Sequence, residues 1–466
     1  MSDCKQEGIL KGMNPRKLVK KIIPKNLFRT IEPYGHLGEA VVENIAFGFP
    51  SRNLKVIGVT GTAGKTTTCT LVMHSLRQAG YKVGMVSTVA IDYGDGRGAQ
   101  PNPTRMTSLG SLLLIKTAKQ MKANGVEWLV LEISSQALSQ YRTWSVPFSI
   151  VGYTNLSHDN FHYHRTFERY RAAKLMLFKQ ANRNRHGQRF GVVNADDENG
   201  HYFADAIAHP LLYGIKKGDL RAKKIELSPT GSRFVAQDDN DTYDISTNLP
   251  GEFNVYNCLA AIGICRAAGL DKAQIEQGIA SLEMVTGRMN SIDEGQDFGV
   301  IVDYAPIPDA FEKVFAAIKP TVKGRIISVF GTPGRRDELK APLQGEIAGK
   351  NSDIVILTEE DDRDQDGDRL MELCAVGAEK AGKKRDKDLL FIHKREDAVE
   401  KAISLAKKGD MVLLLGKGEE TVIITNKPDF TPPDGHIYNE STDTIQRHYN
   451  ETEAARAALK KLGYGN

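Results

Sequence analysis

The sequence predicts an α/β protein with two parallel-sheet domains in series: a central domain carrying a phosphate-binding loop (P-loop) and a C-terminal Rossmann-like domain. Three observations predict it. The length of 466 residues suggests about three domains at ~100–200 residues each. From Asn53 onward, short apolar runs such as LKVIGV, KVGMVST and VEWLVLEI alternate with helical stretches such as LGSLLLIKTAKQMKAN. Several runs are apolar on both faces, as strands of a sheet covered on both sides are. A second series of strands, FGVIVDY, RIISVFG, DIVILT, LLFIH and MVLLLG, begins near Ser291. The expected division is 1–52, 53–290 and 291–466.

Residues 1–52 read as a short basic arm and linker. Arg16, Lys17, Lys20, Lys21, Lys25 and Arg29 interleave with Leu18, Val19, Ile22, Ile23, Leu27 and Phe28. Pro24 interrupts any single long helix, and Gly35, Gly38 and Gly48 weaken helix in the remainder. The arm is too short for a core of its own. Two roles fit it: packing on the central domain, which is preferred, and weak contact of residues 1–30 with an anionic membrane surface.

Lys65 to Gln78 then reads as a helix ended by Gly80. FSIVGYTN and RFGVVNA are strands with a helix around Phe167–Gln180 between them. Residues 223–249 break the pattern and read as antiparallel hairpin material. Helices are expected at Val255–Ala268, ended by Gly269, and at Lys272–Leu282.

Composition excludes several classes. No apolar run approaches the ~20 residues needed to span a bilayer, and MSDCKQEGIL lacks the layout of a secretory signal. Lys+Arg 62 against Asp+Glu 58 leaves +4, too balanced to argue for a nucleic-acid partner. The five cysteines are scattered without a C-x-x-C pair, which fits a reducing cytoplasm better than a disulfide or zinc framework.

The sharpest local signal is VIGVTGTAGKTTT, Val56 to Thr68. A strand enters a glycine loop, and Lys65, Thr66 and Thr67 open a helix. Gly61 and Gly64 let backbone approach phosphate, with N–H groups and the helix N-terminus facing the anion. Lys65 is placed to reach the outer phosphates and the Thr66 hydroxyl to bind Mg²⁺. The strict Walker spacing is not met, because Val59 stands where its first glycine belongs. The bland alternative is a tight strand–helix turn.

A second constellation is spread over strand ends, where ligands of open parallel sheets bind. Glu132 closes one strand and is a suitable oxygen ligand for Mg²⁺. Asn155, Asp159, Asn160, His162 and His164 follow another, and Lys174 lies on the next helix. The two histidines read either as metal ligands or as a solvated loop.

These segments resemble those of the Mur ligases, ATP-dependent amide-forming enzymes of peptidoglycan precursor synthesis. Within that family the chain is most similar to the UDP-N-acetylmuramoyl-tripeptide synthetases, which add the third residue of the stem peptide. GVTGTAGKTTT, EISSQALSQYR, TNLSHD, YRAAKLMLF, VVNADD, LPGEFNVYNCLAAI, VTGRMN, VDYAPIPDA, GTPGRRDELKAPL and GKGEE occur in family order from about Asn53 to the C-terminus.

The resemblance implies a mechanism and a set of residues. ATP converts a substrate carboxylate to an acyl phosphate, which an incoming amine attacks. Gly61, Thr62, Gly64, Lys65, Thr66 and Thr67 would cradle the nucleotide phosphates. Asn254 and Asn257 would lie near adenine, with Arg288 and Asp303 closing from the domain junction. Thr66, Glu132, Asn160 and Lys174 would hold Mg²⁺, Lys174 as a carbamate. Thr107, Ser108, Ser134, Gln140 and Arg142 would hold the acyl acceptor. Asn155, Arg336, Asp361, Arg363, Gly416 and Glu420 complete the implied substrate contacts. A monomer with small-molecule substrates is expected.

The chain also departs from the family pattern. A separate domain for the UDP end of the acceptor has no room in some fifty residues. Asn160 stands where a histidine is usual. The D-N-P-R motif reads Glu360-Asp361-Asp362-Arg363, keeping an arginine able to pair a carboxylate but surrounding it with acid that favours a cationic amino acid. Pro306 and Ile307 replace His-Thr, and Glu419 replaces a histidine. Two other readings stay open: the same chemistry on another carboxylate, as in folylpolyglutamate or cyanophycin synthetases, and a non-catalytic nucleotide-binding protein.

Overall fold

The computed structural model describes residues 25–104, 106–157, 161–228, 231–285, 287–427, 438 and 443–465. Helix α1 (Lys25–Phe47) precedes β1 (Lys55–Thr60), α2 (Lys65–Gln78), β2 (Val83–Val86), β3 (Ala90–Asp92) and β4 (Gln100–Pro101). Then come α3 (Ser111–Ala123), β5 (Trp128–Glu132), β6 (Phe148–Tyr153), α4 (Phe167–Arg183), β7 (Phe190–Asn194) and β8 (His209–Gly214). Strands β9 (Leu220–Ser228), β10 (Gly231–Gln237) and β11 (Thr242–Thr247) lead to α5 (Glu252–Ala268) and α6 (Lys272–Ala280).

The eleven central strands form one sheet in the order β11-β10-β9-β8-β7-β6-β1-β5-β2-β3-β4. Its middle is parallel and both edges are antiparallel. KVIGVT explains the position of β1: every residue after Lys55 is buried, as only a strand covered on both faces allows. Ile57 and Val59 face a core built with α2 and α5, including Val72, Leu76, Val255 and Ile262. Val56 faces the other core, with Leu114 and Met121 of α3 and Leu177 and Phe178 of α4. Register decides what meets at the carboxyl edge. Val59 lies beside Glu132 of β5, and Thr60 lies beside Tyr153 of β6. The loop leaving β1 therefore emerges between Glu132 and the segment after Tyr153.

The C-terminal part contains β12 (Asn290–Ser291), β13 (Gly299–Asp303), α7 (Pro308–Ile318), β14 (Ile326–Phe330), α8 (Lys340–Asn351) and β15 (Ile354–Leu357). It continues with α9 (Gly367–Lys380), β16 (Leu389–Phe391), α10 (Arg395–Leu405) and β17 (Met411–Leu415). Last come β18 (Val422–Asn426), β19 (Thr444–His448) and α11 (Glu451–Lys461). Six strands run in the order β12-β13-β17-β14-β15-β16, parallel except for β12. Strands β18 and β19 form a separate antiparallel pair. Asn290 pairs with Val302, so the second sheet begins one residue before Ser291.

The arm differs from its expectation in one respect. Helix α1 runs from Lys25 through Pro33, Gly35 and Gly38. Proline in a helix interior costs ~3 kcal/mol of local preference, so tertiary anchoring sustains this helix. Ala40 and Asn44 are buried. Asn44 Nδ2 donates to Ala40 O at 2.8 Å, and its Oδ1 accepts from Ser145 Oγ at 2.8 Å. The described part of the arm thus packs on the central domain. Residues 1–24 lie outside the described residues. Among the described residues no helix is long and apolar enough to cross a membrane.

Candidate active site

The loop after β1 is shaped by close backbone approaches. A Cβ at Gly61 would collide with Thr154 Oγ1, and one at Gly64, at φ 82°, with Asn257 Oδ1. Asn155 braces the loop: its carbonyl accepts from Thr62 N at 2.9 Å, and its Oδ1 accepts from Ala63 N at 3.0 Å. Thr154 Oγ1 donates to Ala63 O at 2.6 Å. Gly64 is the N-cap of α2 and supplies no side-chain cap, so the first helical N–H groups face the loop's concavity, where an anion binds.

Glu132 is the anchor beside this loop. It is 2% exposed. Its Oε2 accepts from Thr66 Oγ1 and from Thr88 N, each at 2.9 Å, and its Oε1 accepts from Thr88 Oγ1 at 3.0 Å. Lys65 Nζ stands 4.0 Å from Glu132 Oε1 and donates to Thr62 O at 2.9 Å. A carboxylate oxygen keeps lone pairs beyond one donor. Glu132 and the Thr66 hydroxyl thus form a pair of hard oxygen donors that fits Mg²⁺. Lys174 is buried, donates to Gly61 O at 2.6 Å, and lies 4.6 Å from the Tyr170 ring centroid. The Tyr170 hydroxyl contacts Thr62 Oγ1 at 3.1 Å.

A hydroxyl-lined wall continues from Glu132. Ser108 Oγ donates to Glu132 O at 3.0 Å and accepts from Ser134 N at 2.9 Å. The Thr88 and Thr107 hydroxyls meet at 3.1 Å. Arg142 Nη1 donates to Ser108 O at 3.2 Å, while its Nε is held by Gln140 Oε1 at 2.8 Å. Gln140 thereby orients Arg142 from behind.

The opposite wall comes from the second sheet. Arg288, Asp303, Tyr304, Lys313 and Arg336 line the cleft. Asp303 is a pivot: its Oδ2 accepts from Met289 N at 2.7 Å and its Oδ1 from Ala305 N at 2.8 Å. Burial pushes its carboxyl up, and Arg288 opposes that shift. Across the junction Ser157 Oγ donates to Asp309 Oδ2 at 3.3 Å, which also pairs with Lys313 at 2.8 Å. The resulting cleft has a volume of ≈ 430 Å³. Lys65, Lys174, Arg288, Lys313 and Arg336 bring it more positive than negative charge, as a polyphosphate site requires.

Of the residues singled out from the sequence, Gly61, Thr62, Gly64, Lys65, Thr66, Thr67, Thr107, Ser108, Glu132, Ser134, Arg142, Lys174, Asn257, Arg288, Asp303 and Arg336 share this cleft. Asn155 and Gln140 stand behind it as braces. Asn254 Oδ1 accepts from Asn257 Nδ2 at 2.9 Å, so it too acts from behind. Asp159, Asn160 and the side chain of His162 lie outside the described residues. His164 is buried with Nε2 2.9 Å from Ser135 Oγ, between Tyr163 and Tyr170. It is therefore a packed ring rather than part of a solvated loop.

Asp361, Arg363, Gly416 and Glu420 form a separate cluster at the carboxyl ends of β15 and β17. Lys417, fully buried, pairs with Asp361 Oδ1 at 3.0 Å and Glu420 Oε2 at 2.6 Å. Arg363 donates to Gly334 O at 2.9 Å and Asp361 O at 3.2 Å instead of reaching the cleft. Beside them burial pushes Glu360 up to about 7, with Lys340 and Lys417 pulling the other way.

Sequence reasoning missed Thr88, Tyr170, Lys313 and Lys417. Thr88 ends KVGMVST, at the carboxyl end of a strand next to β5, and that position was the available signal. Lys313 sits one helical turn after Asp309 on α7, a spacing that pairs opposite charges.

The family model for the Mur ligase middle domain matches residues 59–265, and that for the Mur ligase glutamate ligase domain matches residues 287–418. The UDP-N-acetylmuramoyl-L-alanyl-D-glutamate--2,6-diaminopimelate ligase of Geobacillus thermodenitrificans is 38% identical over 396 residues, 84% of this chain and 79% of that protein. The UDP-N-acetylmuramyl-tripeptide synthetase of Treponema denticola is 39% identical over 421 residues, 86% of this chain and 77% of that protein. A solved UDP-N-acetylmuramoyl-L-alanyl-D-glutamate--2,6-diaminopimelate ligase superposes with a TM-score of 0.60 at 27% identity, covering 88% of this chain and 79% of that one. The folylpolyglutamate synthase of Mycobacterium tuberculosis shares the fold, with a TM-score of 0.65 at 15% identity over 82% of this chain and 92% of that one. The chain belongs to the Mur ligase family, whose members are ATP-dependent ligases that form peptide bonds.

Proposed function

From that membership we propose that the chain joins an amino acid to the peptide carboxylate of a UDP-N-acetylmuramoyl-peptide in peptidoglycan precursor synthesis, in the cytoplasm and as a monomer. Residues 53–290 and 291–466 serve as its two catalytic domains. The observation that carries this reading is one cleft shared by the β1 loop, the Thr66–Glu132 pair, Lys174 and the Thr107–Ser108–Ser134–Arg142 wall.

The loop amides and Lys65 bind the outer phosphates of ATP. Thr66 and Glu132 would hold Mg²⁺, which would offset charge on the phosphoryl group being transferred. Lys174 would join them as a carbamate, because an ammonium beside a divalent cation is repelled whereas a carbamate offers a carboxylate-like oxygen ligand, and its remaining N–H can still donate to Gly61 O. Arg142 and the wall hydroxyls place the acceptor carboxylate to attack the γ-phosphorus. The product is an acyl phosphate and ADP. The amine of the incoming amino acid attacks the acyl carbon, and phosphate leaves. A substrate with a second amine would take over a carboxylate of the Glu360–Asp361–Glu420 group, two of which now pair with Lys417. Lys313, Arg288 and Arg336 close the site against water, which would hydrolyse the acyl phosphate.

The test is an ADP-release screen of acceptors crossed with amino acids. The reading requires release that depends on UDP-N-acetylmuramoyl-L-alanyl-D-glutamate and is raised by a diamino acid. Release with a folate acceptor and none with the muramoyl peptide would overturn it.

A further inference from the structure

Three metal-ligating side chains meet outside the catalytic cleft. Glu359 and Asp362 follow β15, and His393 follows β16. The two strands are parallel neighbours, so their carboxyl ends bring these residues together. One donor atom from each lies within 4.8 Å of the other two. Both carboxylates are buried, while the His393 side chain is 51% exposed and opens the cluster to solvent.

The Asp362 carboxylate is poorly served by its surroundings. Its Oδ1 is shut from water and has no hydrogen-bond partner among the described residues. Its Oδ2 stands 3.6 Å from His393 Nε2, longer than a hydrogen bond. A cation seated on the two-oxygen edge of this carboxylate serves both oxygens at once, as bidentate carboxylate ligation does. The ion entering past His393 then becomes the partner that solvent cannot be.

Charge points the same way. Glu359, Asp362, Glu396 and Glu451 gather here. Arg395 pairs with Glu451 at 2.8 Å, and Arg447 pairs with Glu396 and Glu359. Four carboxylates thus face two guanidiniums among the described residues, and buried charge left unbalanced is costly. The adjoining Glu360, Asp361 and Glu420 are matched by Lys340, Lys417 and Arg363, so no cation is spare there. A dication closes the deficit. His393 is also held as metal-binding histidines are: its Nδ1 lies 3.3 Å from Asp368 Oδ1. That contact keeps the proton on Nδ1 and leaves the Nε2 lone pair toward Asp362.

We propose that Glu359, Asp362 and His393 bind a divalent transition metal of the Zn²⁺ type, apart from the Mg²⁺ pair at Thr66 and Glu132. An imidazole nitrogen with carboxylate oxygens suits such an ion, whereas Mg²⁺ prefers oxygen throughout. Ligands reach Zn²⁺ at ~2.0–2.2 Å, so the trio must draw closer, and rotation of the half-exposed His393 ring supplies the movement. The bound ion ties the end of β15 to the end of β16. This site does not depend on which substrates the enzyme joins.

Calorimetric titration of the full chain with Zn²⁺, in excess Mg²⁺ to fill the phosphate-loop site, tests the assignment. Wild type should bind Zn²⁺ at a single site and gain thermal midpoint with it. His393→Ala should weaken binding at least ~10-fold and lose that gain, and Asp368→Asn should weaken it ~10-fold through loss of the orienting contact. Both substitutions fall on exposed or half-exposed side chains, and an unchanged midpoint in chelator shows that the fold is kept. No Zn²⁺ binding by wild type, or equal affinity in both variants, overturns the site. Binding that Glu132→Gln removes and His393→Ala leaves also overturns it, since the ion then sits at the phosphate loop.

Discussion

Around the phosphate loop, charged and polar side chains are arranged about open space; around the ends of β15 and β17 they are arranged about each other. In the first region Glu132, Thr66 and Thr88 form a rigid oxygen cluster on the rim of the cleft, and an uncapped helix N-terminus faces the same hollow. In the second, Lys417 is enclosed by Asp361 and Glu420, and Arg363 is spent on two carbonyls. The first arrangement is preorganised for a ligand common to the whole family. The second holds its charges in balance, so an incoming amino acid must exchange partners with groups already paired. Small sequence changes can retune such an exchange without disturbing phosphate chemistry.

If the first region is preorganised for phosphoryl transfer, Lys65→Ala should cost the most. Its kcat should fall by at least ~100-fold, the scale of one lost charge-stabilising donor, with weaker ATP binding by calorimetry. Near-native turnover would remove the phosphate-loop assignment. Lys174→Ala should also abolish measurable ligation. High bicarbonate should not restore it, whereas a short carboxylic acid filling the vacated space should restore part. Ligation at the native rate would refute the carbamate role.

The second region should respond differently. Asp361→Asn takes a carboxylate from Lys417, which keeps Glu420. The expected cost is ~1–3 kcal/mol in stability, with a raised KM for the amino acid and little change in the KM for ATP. A change in ATP affinity alone would blur the distinction between the regions.

The smallest effect concerns pH. Glu360 moves from 4.5 to about 7 on folding, so between those values the folded state holds a proton that the unfolded state has released. Stability from this group is full below about 4.5 and is lost as pH rises to about 7. Glu360→Gln should flatten that decline in the thermal midpoint. An unchanged slope would place the proton elsewhere.

The same contrast explains what could be read in advance. The phosphate loop was legible because its chemistry is local: a strand end, a glycine turn and a helix start follow one another along the chain. Glu132 stood out as a strand-end carboxylate, and Lys174, far along the chain from Gly61, was named through the family resemblance. The alternation of apolar runs likewise announced both sheets. Thr88 carried only the weak signal of a strand end, because it joins Glu132 through the neighbouring placement of β2 and β5. Lys417 meets Glu420 only three residues on, but its pairing with Asp361 depends on the ends of β15 and β17 brought together by the second sheet, and no local pattern carries that. Helix α1 ran against local signals, since Gly35 and Gly38 weaken helix, yet it passes through both and through Pro33, with the Asn44–Ser145 contact among its anchors.

The central claim is that one cleft turns an acceptor carboxylate into an acyl phosphate. Incubation with ATP, Mg²⁺, UDP-N-acetylmuramoyl-L-alanyl-D-glutamate and hydroxylamine, with no amino acid present, measures it directly. The account predicts an acceptor hydroxamate formed together with ADP in wild-type enzyme and reduced by at least ~100-fold in Lys65→Ala. ADP released without hydroxamate, or hydroxamate formed equally by Lys65→Ala, would contradict it.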